Sequence, residues 1–235
     1  MISIRGMISG QDLKTAALFG CILIPIFYLC YTGSLGSQWH INSLVLFILL
    51  SAMLLFSATE MPIYRIRTKK PDLSDDKKEL LGDIYSIPLI EEYEADDELV
   101  FHTSITLNIG GFILPLILAL YVAIKNPSFA ALEIMLIIIV FVYLFIDIRS
   151  GVGIIIPDYI GLLAVPFALI LEPENASTIV LISGVLGIVI GMVTSLCRID
   201  ENKEGSAYIN LGGVGSFKAI YIIVIIAALL SYSPV

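Results

Sequence analysis

Chemistry in this sequence has to come from a few polar residues set between long apolar runs. Asp147-Ile148-Arg149 closes one run, and Gly151, Gly153, Pro157 and Asp158 precede the next. His102, Thr106, Asn108, Gly110 and Gly111 open another, and Gly212-Gly213-Val214-Gly215-Ser216-Phe217-Lys218 leads into the last. Ionisable groups beside apolar surroundings are expensive to keep there, which makes Asp147, Arg149, Asp158 and Lys218 candidates for ligand contact. Each has a plainer use. Asp147 and Arg149 fit a helix end among lipid headgroups, and Asp158, after Pro157, fits a helix N-cap. Asn108, in a small-residue segment, fits a hydrogen bond to a neighbouring helix. The glycine-rich turn is the more specific signal. Glycines opening a helix expose backbone N–H groups, so Gly213, Gly215 and Ser216, with Lys218 beside them, could hold an anion or carboxylate; a tight turn is the alternative.

The elements that must position these residues are apolar helices. Hydrophobic residues make up 58% of the 235 and charged ones 14%, with a mean hydropathy of +0.96. A soluble domain carries roughly 25% charged residues to wet its surface. The expected partner for the remaining surface is the lipid bilayer. A net charge of −8 speaks against nucleic acid, whose backbone needs clustered Lys and Arg. Cys21, Cys30 and Cys197 have neither zinc nor thioredoxin spacing and read as small packed hydrophobes. No pattern calls for a metal or a cofactor.

A membrane-crossing helix needs about 20 mostly apolar residues. Seven segments qualify: 15–31, 41–58, 104–124, 129–146, 154–171, 179–197 and 217–232. The first reads as a retained helix rather than a cleaved leader. Pro25, Pro115 and Pro166 are expected to kink the first, third and fifth. With a cytoplasmic N-terminus, 12 of the 13 basic residues fall on one side and only Lys125 on the other. Such a partition marks the cytoplasmic face. The fold class expected is therefore all-α, a polytopic protein of the cell membrane with its N-terminus inside and C-terminus outside. It divides into two N-terminal helices (1–58), a cytoplasmic loop (59–103) and a five-helix core (104–235).

The loop begins basic, with Arg65, Arg67, Lys69 and Lys70, which fits headgroup anchoring. Its acidic stretch, 91–98, reads as a solvated linker or as a cation- or partner-binding surface. It lacks the ligand spacing and central glycine of an EF-hand. Residues 80–90 fit either a membrane-facing segment or a small hairpin. In the sixth helix Ser183, Gly187, Gly191 and Ser195 recur every four residues, a seam through which another helix can pack closely at Gly187 and Gly191.

Two resemblances arise at these positions. Met61-Pro62-Ile63-Tyr64-Arg65, Asn108-Ile109-Gly110-Gly111-Phe112-Ile113-Leu114-Pro115, Gly151-Val152-Gly153-Ile154 and Gly212-Gly213-Val214-Gly215-Ser216-Phe217 resemble the ordered landmarks of an uncharacterised prokaryotic membrane-protein family, a domain of unknown function. That resemblance implies a multi-span membrane protein and no activity. The last 90 or so residues resemble GxGD-type intramembrane aspartyl peptidases, particularly prepilin peptidases. Asp147-Ile148-Arg149-Ser150 with Ile156-Pro157-Asp158 is similar to their first catalytic segment, and Gly213 to Lys218 to their second. The resemblance implies a catalytic role for Asp147; Asp158 could supply a second carboxylate only if the intervening segment folds back. Ser216 stands where the second aspartate belongs. Aspartyl proteolysis needs two carboxylates sharing a proton, which serine cannot supply. Three functions follow as expectations: a small-solute or ion transporter, channel or binder; a catalytically altered peptidase relative; or a membrane assembly subunit.

Overall fold

The computed structural model describes residues 3–4, 10–69, 80, 100–149, 153–197 and 208–233. Among them are seven α-helices: α1 Gly10–Tyr31, α2 Ser43–Leu55, α3 Leu114–Lys125, α4 Phe129–Phe145, α5 Ala164–Leu171, α6 Ala176–Leu196 and α7 Phe217–Leu230. Side-chain caps set two of the starts. Asn42 accepts from Leu44 N at 2.9 Å, and Ser128 from Ala131 N at 3.2 Å. Each satisfies a backbone donor that a helix start leaves orphaned.

The expectation of an all-α chain is corrected by two small sheets. The larger has strands β1 Ser3–Ile4, β2 Thr59–Lys69, β3 Val100–Asn108 and β6 Tyr208–Leu211. Their order is β1-β2-β3-β6; the first two pairings are antiparallel and β3 with β6 is parallel. The smaller is a hairpin of β4 Asp147–Arg149 and β5 Gly153–Ile155. Both described ends of the expected 59–103 loop are therefore paired strand. The acidic stretch 91–98 lies outside the described residues, as does 80–90 apart from Leu80.

The third expected helix also starts later than its apolar run. Residues 104–108 belong to β3, and a π-helical turn, Ile109–Ile113, joins it to α3. The fifth is short, entered through a 3-10 turn at Ile160–Leu163. Pro115 and Pro166 thus sit in first turns, where the missing N–H breaks little, and only Pro25 lies inside a long helix. Two stretches, Lys14–Tyr31 and Pro173–Leu196, are long and apolar enough to cross a membrane; the other helices are shorter. The seven expected helices exist, and two of them meet that length.

The core centres on α6, which is buried along nearly its whole length. Its glycines serve two neighbours. A Cβ on Gly184 would meet Ile223 of α7 at 2.6 Å, and Cβ atoms on Gly187 and Gly191 would meet Ile138 and Val142 of α4 at 2.7 and 2.6 Å. The seam at Gly187 and Gly191 exists, and the helix that fills it is α4 of the same chain rather than a partner's. Of the three cysteines only Cys30 is buried; Cys21 and Cys197 are exposed, so the packed-hydrophobe reading holds for one.

Helix ends alternate between two poles. At one pole the connection from α1 to α2 is bound to the ends of α3, α6 and α7. Gly36 N donates to Ser231 Oγ (2.9 Å), Asn126 Nδ2 to Gln38 O (3.3 Å) and Gln38 Nε2 to Glu174 O (3.3 Å). The opposite pole carries both sheets.

Candidate functional site

All four sequence landmarks lie at the sheet pole, 61–65 within β2 and Gly153 and Ile154 within β5, and the reason the glycine-rich two meet there is steric. Gly110 lies against the C-terminal turn of α2: an added Cβ would overlap Met53 O and come within 2.7 Å of Ser57 N. Gly111 faces Gly212, where a Cβ would overlap Gly212 O and stand 2.8 Å from Phe217 Cδ2. Two glycine pairs from distant parts of the chain therefore touch backbone to backbone. Gly212 and Gly215 have φ of +80° and +83°, the left-handed region that glycine adopts without strain. Ile156 N donates to Gly215 O at 2.9 Å, which docks the turn onto the end of the β4–β5 hairpin.

Asn108 fastens this junction. Its side chain is fully buried, accepts from Gly111 N at 2.8 Å and donates to Ser57 O at 2.5 Å. One residue thereby ties β3, the π-helical turn and the end of α2 together. Ser216 is likewise buried, and its Oγ accepts from Gly212 N at 3.0 Å. Ser216 N and Phe217 N both donate to Gly213 O, at 3.0 and 2.7 Å. The N–H groups of Gly212, Ser216 and Phe217 are thus used inside the turn, the tight-turn alternative. Lys218 is exposed in the first turn of α7.

Asp147 and Asp158 are both exposed. The hairpin folds their segments together, since Asp147 is paired with Ile155, three residues before Asp158. Arg149 is paired through its backbone with Gly153, and its side chain lies outside the description. The structure thus gathers Asn108, Gly110, Gly111, Gly213, Gly215 and Ser216 into one junction, with the two aspartates and Lys218 at its exposed rim.

Sequence reasoning missed a cluster beside that junction. Glu60, in β2, accepts from Thr106 Oγ1 at its Oε2 (3.1 Å) and from Asn210 Nδ2 at its Oε1. Strand register explains the meeting, with Glu60 opposite Asn108 and Thr106 opposite Asn210. Asn210 lies over Gly213, where a Cβ would come within 2.5 Å of the amide Cγ and Oδ1. Asn210 is 7% exposed, and its buried Oδ1 has no hydrogen-bond partner. A signal was available: in Tyr208-Ile209-Asn210-Leu211 polar and apolar residues alternate, as in a half-buried strand. Among the described residues no group of three or more His, Cys, Asp or Glu is placed to hold a metal.

These features define a mostly helical protein whose central helix is wrapped by shorter apolar ones and which carries a small mixed sheet with a buried polar cluster at one pole. Residues 54–230, well over half of the chain, match the model of a family described as a protein of unknown function (DUF1614), and the chain belongs to that family. No curated protein and no solved structure matches it.

Proposed function

We propose that the chain is a multi-pass protein of the cell membrane, threaded seven times with the sheet pole in the cytoplasm, that binds a small polar solute or ion at that pole. The observation carrying the membrane part is that helices are apolar on both faces. In α4, Ala131, Ile134, Ile138 and Val142 face inward, while Leu132, Leu136, Val140 and Leu144 are 49–67% exposed at four-residue spacing. In water such a face would be a large exposed apolar patch, which soluble monomers avoid. Against hydrocarbon it is an ordinary lipid-facing surface. Two of the shorter helices are extended towards the sheet pole by irregular turns, α3 by the π-helical turn, with Gly110, Gly111 and Phe112 buried, and α5 by the 3-10 turn, with Ile160 and Gly161 buried; irregular backbone is tolerated in membranes where protein covers it. Binding is supported by the Glu60–Thr106–Asn210 cluster, a set of polar groups at the sheet pole.

Labelling with a membrane-impermeant maleimide tests the threading. In a variant with Cys21, Cys30 and Cys197 replaced, Ser37→Cys and Glu174→Cys, both at exposed positions, are expected to react in intact cells. Asp158→Cys is expected to react only after permeabilisation. Reaction of all three from the same side would end the seven-span reading.

A second reading, an altered aspartyl peptidase, is favoured by one observation: the hairpin brings the Asp147 and Asp158 segments to the same pole. Serine at 216, tied into its turn, argues against it. Purified protein is expected to leave membrane-inserted reporter peptides uncut, as is the Asp147→Asn/Asp158→Asn double variant. Cleavage by the native chain that vanishes in the double variant would reinstate peptidase chemistry.

A further inference from the structure

We propose that the exposed face of β2 carrying Arg65, Arg67 and Lys69 binds the anionic phosphate headgroups of the lipids around the protein. This rests on the membrane reading above and adds a partner to it. The starting point is an irregularity in the strand. Pro62 is paired with Thr106 and Tyr64 with Ile105, so Ile63 has no opposite residue on β3. One inserted residue sends every later side chain to the other face of a sheet. Beyond the bulge Ile66 is half-buried against the core, and Thr68 is buried and hydrogen-bonded to Thr103. Arg65, Arg67 and Lys69 take the alternate positions, and all three are exposed. Without Ile63 the pattern would be reversed, and both arginines would turn towards the core. The cations form one row at a spacing of about 7 Å. Among the described residues none of them has an anionic partner.

The position of the row points to a bilayer surface. β2 continues α2 through a single 3-10 turn, Phe56–Ala58. Leu55, Phe56, Met61, Ile63 and Tyr64, which lead to the row, are 37–79% exposed. This apolar band ends in a tyrosine beside the first arginine, and tyrosine favours the level where hydrocarbon meets headgroups. Length agrees. From helix and strand rises, the path from Ser43, at the opposite pole, to Tyr64 is at most about 45 Å. A bilayer with its headgroups is about 40–45 Å thick. A chain entering on the far side at Ser43 therefore reaches the near headgroups at Arg65 and goes little beyond them. Arginine holds phosphate oxygens through two parallel N–H donors, and an anionic leaflet attracts each added cation. The net charge of −8 would by itself repel such a leaflet. Attraction has to be local to this row.

The test is the melting temperature of the purified, full-length protein in detergent, with phosphatidylglycerol or phosphatidylcholine of the same acyl chains added. A ligand that binds the folded state raises the melting temperature along a saturating curve. The expected result is a rise several degrees larger with phosphatidylglycerol, shrinking as sodium chloride screens the charges. Arg65→Gln/Arg67→Gln/Lys69→Gln is expected to erase that difference while melting like the native chain in phosphatidylcholine. Arg65→Lys/Arg67→Lys, which preserves the charge, is expected to keep most of it. Lys125→Gln, which removes an exposed cation at the opposite pole, should keep all of it. Equal responses of the native protein to the two lipids overturn the proposal, as does a difference that survives the triple variant. Glycerol phosphate matching phosphatidylglycerol would assign the row to a soluble phosphate and overturn the lipid. A triple variant melting several degrees lower in phosphatidylcholine would give the cations a contact within the chain, with the same consequence. None of these results touches the maleimide threading, so headgroup binding can fail while the membrane reading stands.

Discussion

Gly111→Ala is expected to yield no stably folded protein. The new methyl group would overlap Gly212 O and press on Phe217 Cδ2 at 2.8 Å. Neither backbone segment is free to retreat. Gly111 N is held by Asn108 Oδ1, and Gly212 N by Ser216 Oγ. A clash between two pinned backbones belongs with the rare substitutions costing more than about 4 kcal/mol. Gly20→Ala is the matched control, since nothing lies within 4 Å of its added Cβ and it sits inside α1. In that helix interior alanine is favoured over glycine by about 0.5–1 kcal/mol. Size-exclusion profiles and melting curves in detergent should therefore separate the two: a collapsed or absent peak for Gly111→Ala, and an unchanged or slightly raised melting point for Gly20→Ala. A Gly111→Ala protein melting within a degree of the native chain would contradict the close approach.

Asn108→Ala carries the second large effect. The substitution removes two hydrogen bonds and leaves both Ser57 O and Gly111 N without their partner. Each orphaned buried group costs about 1–3 kcal/mol, so the loss should be about 2–6 kcal/mol. At about 2–4 °C per kcal/mol for a chain of this size, melting should fall by about 4–24 °C. Asn108→Asp should be no better. Aspartate can still accept from Gly111 N, but it cannot donate to Ser57 O and would bring a charge to a fully buried position. If Asn108→Asp melted like the native protein, the donor half of the fastening would be wrong.

The sequence made the helices legible where an apolar run and a helix coincide. The start of α4 at Phe129 and of α7 at Phe217 fall where they were expected, and α6 begins three residues earlier, at Ala176. It failed where an apolar run contains a strand. Residues 104–108 read as part of the third helix because a window of about 20 residues averages over alternation. Read residue by residue, Ser104, Thr106 and Asn108 alternate with Ile105 and Leu107, the two-residue period of a strand. The basic stretch hid the same pattern, with Arg65, Arg67 and Lys69 alternating with Tyr64, Ile66 and Thr68. Buried Thr68 is hydrogen-bonded to Thr103 across the strand pair at 2.6 Å.

The candidate site was half legible for a related reason. Its glycines announce themselves by composition, but their use does not. An anion cradle, a tight turn and a backbone-to-backbone crossing all call for glycine, and only the three-dimensional meeting of Gly111 with Gly212 decides among them. Glu60 and Asn210 were illegible as a pair. They stand 150 residues apart, and their encounter depends on parallel pairing of β3 with β6, for which no local signal exists.

The burial of α6 also bears on the order in which the protein can be assembled during synthesis. A chain emerging from the ribosome delivers α3, α4 and α5 before the helix they are built around. Until Ala176–Leu196 arrives, Ile138 and Val142 have no glycine groove to enter. Asn210 reaches Glu60 later still, and the closing helix Phe217–Leu230 follows it. A nascent chain halted before α6 is therefore a set of hairpins without a centre, and the polar pole matures only once Tyr208–Leu211 and Phe217–Leu230 have emerged.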